Sequence, residues 1–134
     1  MPEFILDHEA RPEQIPFHKL PEFVQGYIEA MFFTSQGDYK DPIKRDAGYC
    51  DLSAGAMERI LEDCNAFFER QGALAALGEA DLQAAGRDFW YTRNGHGCGF
   101  WDRDGYADRD HLSEVARGFG EVDPYTGDDG LIYL

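Results

Sequence analysis

One short segment, residues 89–103, holds most of the side chains that could do chemistry. Arg93, Asn94, His96 and Asp102 lie there among three glycines and both tryptophans. A glycine-flexed tip could present these groups to a ligand, and the carboxylate could orient the imidazole for acid–base chemistry. The same residues also suit a purely structural hairpin with paired aromatics. Because one histidine and one aspartate are no catalytic signature, we favour the structural interpretation and predict no catalytic residue.

The sequence gives less support to a metal site, a reactive thiol or a bound cofactor. His96, Cys98 and Asp102 are close in sequence, but a metal site needs three or four convergent ligands, and the other histidines lack motif spacing. The three cysteines are an odd number without a CxxC pair, which argues against a disulfide framework. No phosphate-binding or dinucleotide-binding glycine motif occurs. We therefore expect no metal, no cofactor and a reducing, cytoplasmic setting.

The charge is strongly acidic, with 26 Asp and Glu against 12 Lys and Arg and a formal net charge of −14. This balance disfavours direct binding to nucleic acid or to an anionic membrane surface. It favours a protein partner with a basic surface, although acidity can also serve only solubility. No apolar run is long enough to span a membrane. The candidate partner-binding acids lie on the second predicted helix and near the C-terminus: Glu58, Glu62, Glu69, Asp123, Asp128 and Asp129.

The elements that must position these residues follow from hydrophobic spacing. Apolar residues at helical intervals predict four helices, at about 21–34, 54–71, 79–89 and 111–119, with Ser53 and Asp110 as N-caps of the second and fourth. Turn residues between β-prone runs predict two hairpins, at 89–101 and 122–134. Helices first and hairpins last indicate the α+β class, with about four helices packed on a small antiparallel sheet of two C-terminal hairpins.

The sequence predicts two regions, an N-terminal arm and a single domain. Residues 1–21 carry four of the six prolines and predict an extended or irregular N-terminal arm. Residues 22–134 then form a single α+β domain, because this length suits one hydrophobic core. The sequence leaves the oligomeric state open.

Residues 86–134 carry a family resemblance. The segment 89–103, followed by 118–123 and 128–133, resembles small acidic proteins of phages, prophages and other mobile elements, whose shared core reads Phe-Trp-x-Thr-Arg-Asn-Gly-His-Gly-x-Gly-Phe-Trp-Asp-Arg. The resemblance extends more weakly back to residue 22. It implies a bacterial host cytoplasm but supplies neither an activity nor catalytic residues. In that setting, small acidic proteins are often inhibitors of host defence, and some imitate DNA.

Three functional hypotheses result. The first is a non-enzymatic acidic binding protein, an anti-defence inhibitor of a host nucleic-acid-binding protein such as a restriction or CRISPR effector. The second is a small enzyme centred on the hairpin that carries Arg93, Asn94, His96 and Asp102. The third is an accessory or structural phage protein.

Overall fold

The computed structural model describes residues 6–36 and 42–134. Its helices are α1 (Glu22–Ser35), α2 (Ala54–Glu69), α3 (Ala73–Leu77), α4 (Leu82–Arg93) and α5 (Arg109–Gly118). Three short 3-10 turns lie at Phe17–Lys19, Tyr49–Asp51 and Phe100–Asp102. Strands β1 (Tyr125–Thr126) and β2 (Ile132–Tyr133) form an antiparallel hairpin. The α+β class is confirmed, and no helix in the described ranges is both long and apolar enough to cross a membrane.

Helices α1 and α4 cross in direct backbone contact. A Cβ atom added at Gly26 would lie 1.8 Å from the carbonyl oxygen of Gln83, and one added at Gly86 would lie 1.9 Å from that of Phe23. Real Cβ atoms do not approach other atoms so closely. The two glycines therefore set the distance between the two helices that support most of the core.

An aromatic cluster joins α1, α2 and α4. The ring of Phe67 on α2 lies 5.1 Å from Phe23 on α1 and 4.7 Å from Phe89 on α4, measured between centroids. Trp90 packs edge-on against Tyr27 at 5.2 Å, and its indole nitrogen donates a hydrogen bond of 2.8 Å to the Thr34 hydroxyl. These contacts place Phe89 and Trp90, the first two residues of the segment 89–103, inside the core.

The predicted hairpin at 89–101 is wrong. Residues 89–93 are the last turn of α4, and residues 100–102 form a 3-10 turn. Ala85, Phe89, Trp90 and Arg93 share helical spacing, and all four are buried. Aromatic residues do favour strands, but this preference depends on context, and burial of one continuous helical face outweighs it here.

The hairpin at 122–134 is confirmed, with Tyr125 opposite Tyr133 and Thr126 opposite Ile132. It is the one strand pair among the residues described, so the sheet is smaller than the sequence suggests. The hairpin is attached at the start of α2, where the Ser53 amide donates to the Ile132 carbonyl at 2.9 Å. The helices accordingly pack mainly on one another, with the hairpin at one end of α2.

The helix caps explain where α2 and α5 begin. The hydroxyl of Ser53 accepts from the Ala56 amide at 3.0 Å, so the predicted cap of α2 is confirmed. The predicted cap of α5 is wrong, because Asp108 accepts from the His111 amide at 3.1 Å. Helix α5 thus begins two residues earlier than expected, and Asp110 lies inside its first turn.

The N-terminal arm packs onto the rest of the chain. Its first five residues lie outside the described ranges, while Leu6, Phe17 and Leu20 are buried in the common core. The Tyr49 amide donates to the Asp7 carbonyl at 2.9 Å. The Arg11 guanidinium donates to the carbonyl oxygen of Leu52 at 3.0 Å and also to that of Cys50. These bonds join the arm to the segment immediately before α2.

Candidate functional site

The four side chains predicted at the hairpin tip occupy different environments. Arg93 is buried, Asn94 and His96 are half-buried, and Asp102 is exposed. No hydrogen bond or ion pair connects any two of the four side chains within the described chain. The described structure therefore does not join the four side chains to one another, although Asn94 and His96 both line a small pocket beside residues 121–124.

Arg93 ties α4 to three other parts of the fold. Its side chain is only 1% exposed, and one terminal nitrogen donates to Asp63 Oδ2 on α2 at 2.8 Å and to the Tyr27 hydroxyl on α1 at 3.0 Å. The remaining donors reach the carbonyl oxygens of Gly120 at 2.9 Å and Phe119 at 3.3 Å. Burial raises the pKa of Tyr27, while the positive charge of Arg93 opposes that rise. A guanidinium whose donors are used in this way stabilises the fold.

Asn94 and His96 shape the turn that follows α4. The Asn94 side-chain oxygen accepts from the Val122 amide at 2.8 Å, and its nitrogen donates to the Trp90 carbonyl at 3.0 Å. The His96 backbone amide donates to the Tyr91 carbonyl at 3.0 Å, and the two rings meet edge-on. Asn94 thus ends α4 and joins it to the chain before β1.

A cleft between α4 and residues 103–106 brings together groups that the sequence did not single out. Its volume is about 480 Å³, which lies in the range of small-molecule sites. Asp88 lies buried at its edge, where Oδ1 accepts from Arg103 at 3.2 Å and Oδ2 accepts from the Tyr106 hydroxyl at 2.6 Å. The lining residues are Ala80, Asp81, Ala84, Arg87, Asp88, Tyr91, Arg103, Gly105 and Tyr106.

The buried Asp88 carboxylate contributes to shifts in the pKa values of Arg103 and Tyr106. The hydrogen bond to Asp88 raises the pKa of Arg103, so this guanidinium is firmly charged. Burial first, and the bond to Asp88 second, raise the pKa of Tyr106 far above its ordinary value. The sequence carried one weak signal of this site, since Asp88 lies three residues after the buried Ala85 and directly precedes three aromatic residues on α4.

We expect Tyr106→Phe to make the loss of stability at alkaline pH less steep. An unfolded tyrosine loses its proton near pH 10, whereas folded Tyr106 keeps it. The stability from this difference is present below about pH 10 and is lost as the pH rises above it. Above pH 10, the free energy of unfolding of Tyr106→Phe should fall less steeply than that of the native protein. The difference between the two slopes should be up to about 1.4 kcal/mol per pH unit. Denaturant titrations across this range measure the slope.

The exposed Tyr125→Phe substitution is the control for this experiment, because its ring is 54% accessible and lies on the hairpin. It should leave the slope unchanged. Equal slopes for the native protein and Tyr106→Phe would contradict the role given to the Asp88–Tyr106 bond.

Three of the predicted partner-binding acids lie in one exposed row, here called the α2 acidic stripe: Glu58, Glu62 and, two turns further along α2, Glu69. Their spacing places them within about 40° of one another around the helix axis, on the side opposite the buried Ile60 and Phe67. The row is about 16 Å long at the helical rise. No ion pair involves any of the three among residues 6–36 and 42–134.

The three acids of the C-terminal region differ from one another. Asp129 accepts from the Leu131 amide at 3.0 Å and from the Tyr133 hydroxyl at 2.5 Å, and the bond from Tyr133 lowers the pKa of Asp129. Asp123 and Asp128 are exposed, and neither side chain makes a hydrogen bond or ion pair within the described residues. Asp129 therefore shapes the turn, while Asp123 and Asp128 are open to a partner.

The cysteines are free thiols and provide no metal centre. Cys64 is buried in the core, and this burial raises its pKa, whereas Cys50 and Cys98 are half-buried. In the part of the chain that the structure describes, no group of three or more His, Cys, Asp and Glu side chains is placed to hold a metal ion.

The resemblance to acidic proteins of phages and mobile elements stays a prediction. No model of a known protein family, no curated protein and no solved structure matches the chain.

Proposed function

We propose that the protein is a non-enzymatic binding protein of a phage or mobile element, and that its acidic surface engages the basic, nucleic-acid-binding surface of a host protein. A restriction or CRISPR effector is the expected kind of partner. The observation that carries this proposal is the α2 acidic stripe, where three carboxylates share one exposed helix face. Charges arranged in this way attract a basic partner and exclude acidic ones.

The distribution of arginine strengthens the argument from the stripe. The described ion pairs engage acids outside the stripe, including Asp63, Asp88, Glu29 and Asp104. No described ion pair therefore neutralises a carboxylate of the stripe. Duplex DNA carries one charge per about 1.7 Å of its axis, so about 10 phosphates occupy the length of the stripe. Roughly half of these phosphates face one side of the duplex. The three carboxylates of the stripe approach that number but do not equal it.

The hairpin at the start of α2 adds further groups suited to a basic partner. Tyr125 is 54% exposed, and its ring stacks on Tyr133 with centroids 5.6 Å apart. Asp128 lies in the same hairpin with its carboxylate exposed. An aromatic face beside a carboxylate suits an arginine side chain, through cation–π contact and a charge-assisted hydrogen bond. Tyrosine and arginine are also the residues that most often dominate binding energy at interfaces.

We expect reversal of the stripe, in the triple variant Glu58→Lys, Glu62→Lys and Glu69→Lys, to abolish capture of the partner. Native protein and variant would be immobilised and exposed to nuclease-treated bacterial lysate at low salt. A protein retained by the native chain alone would then be purified and tested for DNA binding in competition with it. Raising the salt to physiological strength should weaken native binding steeply, because exposed charges more than about 8–10 Å apart are then screened.

The matched control reverses three exposed glutamates elsewhere: Glu22, Glu79 and Glu114. This control changes the net charge by the same amount, so it separates the position of the acids from their number. Thermal melts should show both triple variants folded, since exposed substitutions usually change stability by no more than about 0.5 kcal/mol each. Binding that survives both reversal of the stripe and high salt would refute the proposal. A captured protein that does not compete with DNA would favour an accessory or structural phage protein.

A further inference from the structure

The cleft between α4 and residues 103–106 is independent of the acidic surface and has its own chemistry. Its two guanidiniums, Arg87 and Arg103, come from opposite sides, and their side chains are 38% and 43% exposed. Among its acids, the Asp88 carboxylate is buried and already bonded to Arg103 and Tyr106. Asp81 caps α4 by accepting from the Gln83 amide at 2.9 Å.

The hydrogen-bonding capacity that remains in the cleft belongs mainly to donors, and Asp81 Oδ2 is the one lining carboxylate oxygen without a bond among the described residues. Arg103 uses Nε and Nη2 on Asp88, so Nη1 keeps its two N–H groups. Arg87 makes one contact, from Nη1 to Glu29 at 3.4 Å. The Tyr91 hydroxyl makes no hydrogen bond in the part of the chain that is described, although the side chain is half-buried. A ligand that satisfies these groups must be an acceptor, and two guanidiniums favour one with negative charge.

The shape of the cleft adds a second requirement. Its remaining wall is made of small or flat groups, namely Ala80, Ala84, Gly105 and the rings of Tyr91 and Tyr106. Flat aromatic rings and an arginine plane pack well against another ring. A volume of about 480 Å³ suits a small molecule better than an extended peptide.

We propose that this cleft binds a small planar anion, an aromatic ring that carries a carboxylate or a phosphate group. The anion accepts hydrogen bonds from Arg87, Arg103 and the Tyr91 hydroxyl, while the ring lies against the tyrosines. Asp88 is a positioning residue, because it holds Arg103 and Tyr106 without facing the ligand with a free oxygen. Neither the acidic stripe nor its protein partner is needed for this binding.

The test titrates benzoate and phenyl phosphate into the full chain and follows backbone amide chemical shifts by two-dimensional NMR. Saturable shifts confined to residues 80–106, with a dissociation constant of about 1 mM or tighter, are expected for at least one probe. The tighter of the two identifies the preferred anionic group. Benzamidine, a planar cation of similar size, should not bind.

Two substitutions test the residues and keep the fold. Arg87→Gln should weaken binding about 10-fold or more, because it removes a charged donor. Tyr91→Phe should weaken it about 2- to 10-fold through loss of one neutral donor, and it removes no hydrogen bond of the folded protein. Arg117→Gln is the control, since Arg117 is exposed on α5 and does not line the cleft. Thermal melts verify that all three variants are folded.

Several outcomes would overturn this inference. They are the absence of saturable shifts with both anions, equal weakening by Arg117→Gln, and benzamidine binding as tightly as benzoate. Inorganic phosphate that binds as tightly as phenyl phosphate would remove the aromatic part of the proposal.

Discussion

Gly86→Ala is expected to lower the free energy of unfolding by about 3 kcal/mol, the upper end of the usual cost of overpacking. The new methyl group would lie 1.9 Å from the carbonyl oxygen of Phe23, so α1 and α4 would have to move apart. That movement would loosen the contacts of Phe23, Tyr27, Phe89 and Trp90 at the same time, because all four pack across the crossing. Chemical denaturation monitored by circular dichroism measures the loss.

Gly55→Ala provides the matched control for this prediction. Gly55 also lies in a helix, near the start of α2, but a Cβ atom there would meet nothing within 4 Å. The same substitution should therefore be neutral or stabilise the protein by up to about 1 kcal/mol, through better helix propensity. If Gly86→Ala behaved like Gly55→Ala, the close crossing of α1 and α4 would be incorrect.

Arg93→Met is expected to cost about 3–5 kcal/mol, since it removes the buried member of the pair with Asp63 and leaves that acid with only its longer contact to the exposed Arg59. Asp63 would lose its 2.8 Å partner, and the hydroxyl of Tyr27 and the carbonyl oxygens of Phe119 and Gly120 would lose a donor. Arg93→Lys should recover part of the loss, because it restores the charge but not the forked geometry. Equilibrium unfolding of both variants measures the difference.

The control for Arg93→Met is a substitution of Arg59, which contacts the same Asp63 carboxylate from the solvent-exposed side. Arg59 contacts Asp63 Oδ2 at 3.4 Å with a side chain that is 46% exposed. Arg59→Met should therefore cost less than about 1 kcal/mol. Equal losses from the two substitutions would contradict the assignment of Arg93 as the internal tie. A folded Arg93→Met protein with native stability would return Arg93 to the list of candidate functional residues.

Sequence periodicity predicted α1 and α2 well, because the buried residues of α2 follow one face and those of α1 recur at helical spacing over most of its circumference. The predicted span 21–34 compares with Glu22–Ser35, and 54–71 compares with Ala54–Glu69. Local signals also located the Ser53 cap and the C-terminal hairpin. In each case the information lies within a few consecutive residues, and no distant contact changes it.

The segment 89–103 shows why the rest could not be predicted. Its aromatic and glycine-rich composition indicates a hairpin locally, but the packing of Phe89 against Phe23 and Phe67 keeps residues 89–93 helical. The burial of Arg93 could not be predicted for a related reason. Its partners Tyr27 and Asp63 are far away in sequence, and no local pattern shows that an arginine at a helix end is buried.

The cleft depends even more on distant contacts. Asp88 and Tyr106 are 18 residues apart and meet only because the chain reverses through the turn at Phe100–Asp102. The α2 acidic stripe is the opposite case, since one regular helix fixes its geometry. Its three glutamates could therefore be placed on one face from their spacing alone.

The segment before α2 couples two parts of the protein that are remote in sequence. Its residue Leu52 accepts a bond from Arg11 of the arm through its carbonyl and forms a bridge with Ile132 of β2. Arm and hairpin thus contact the same buried residue, so we expect local opening of either to weaken the other and the two to unfold as one cooperative unit. In hydrogen exchange, the amides of Tyr49 and Ser53, which bind Asp7 and Ile132, should consequently exchange at similar rates. Contacts at Leu52 thus hold the N-terminal arm and the C-terminal hairpin together without a covalent cross-link.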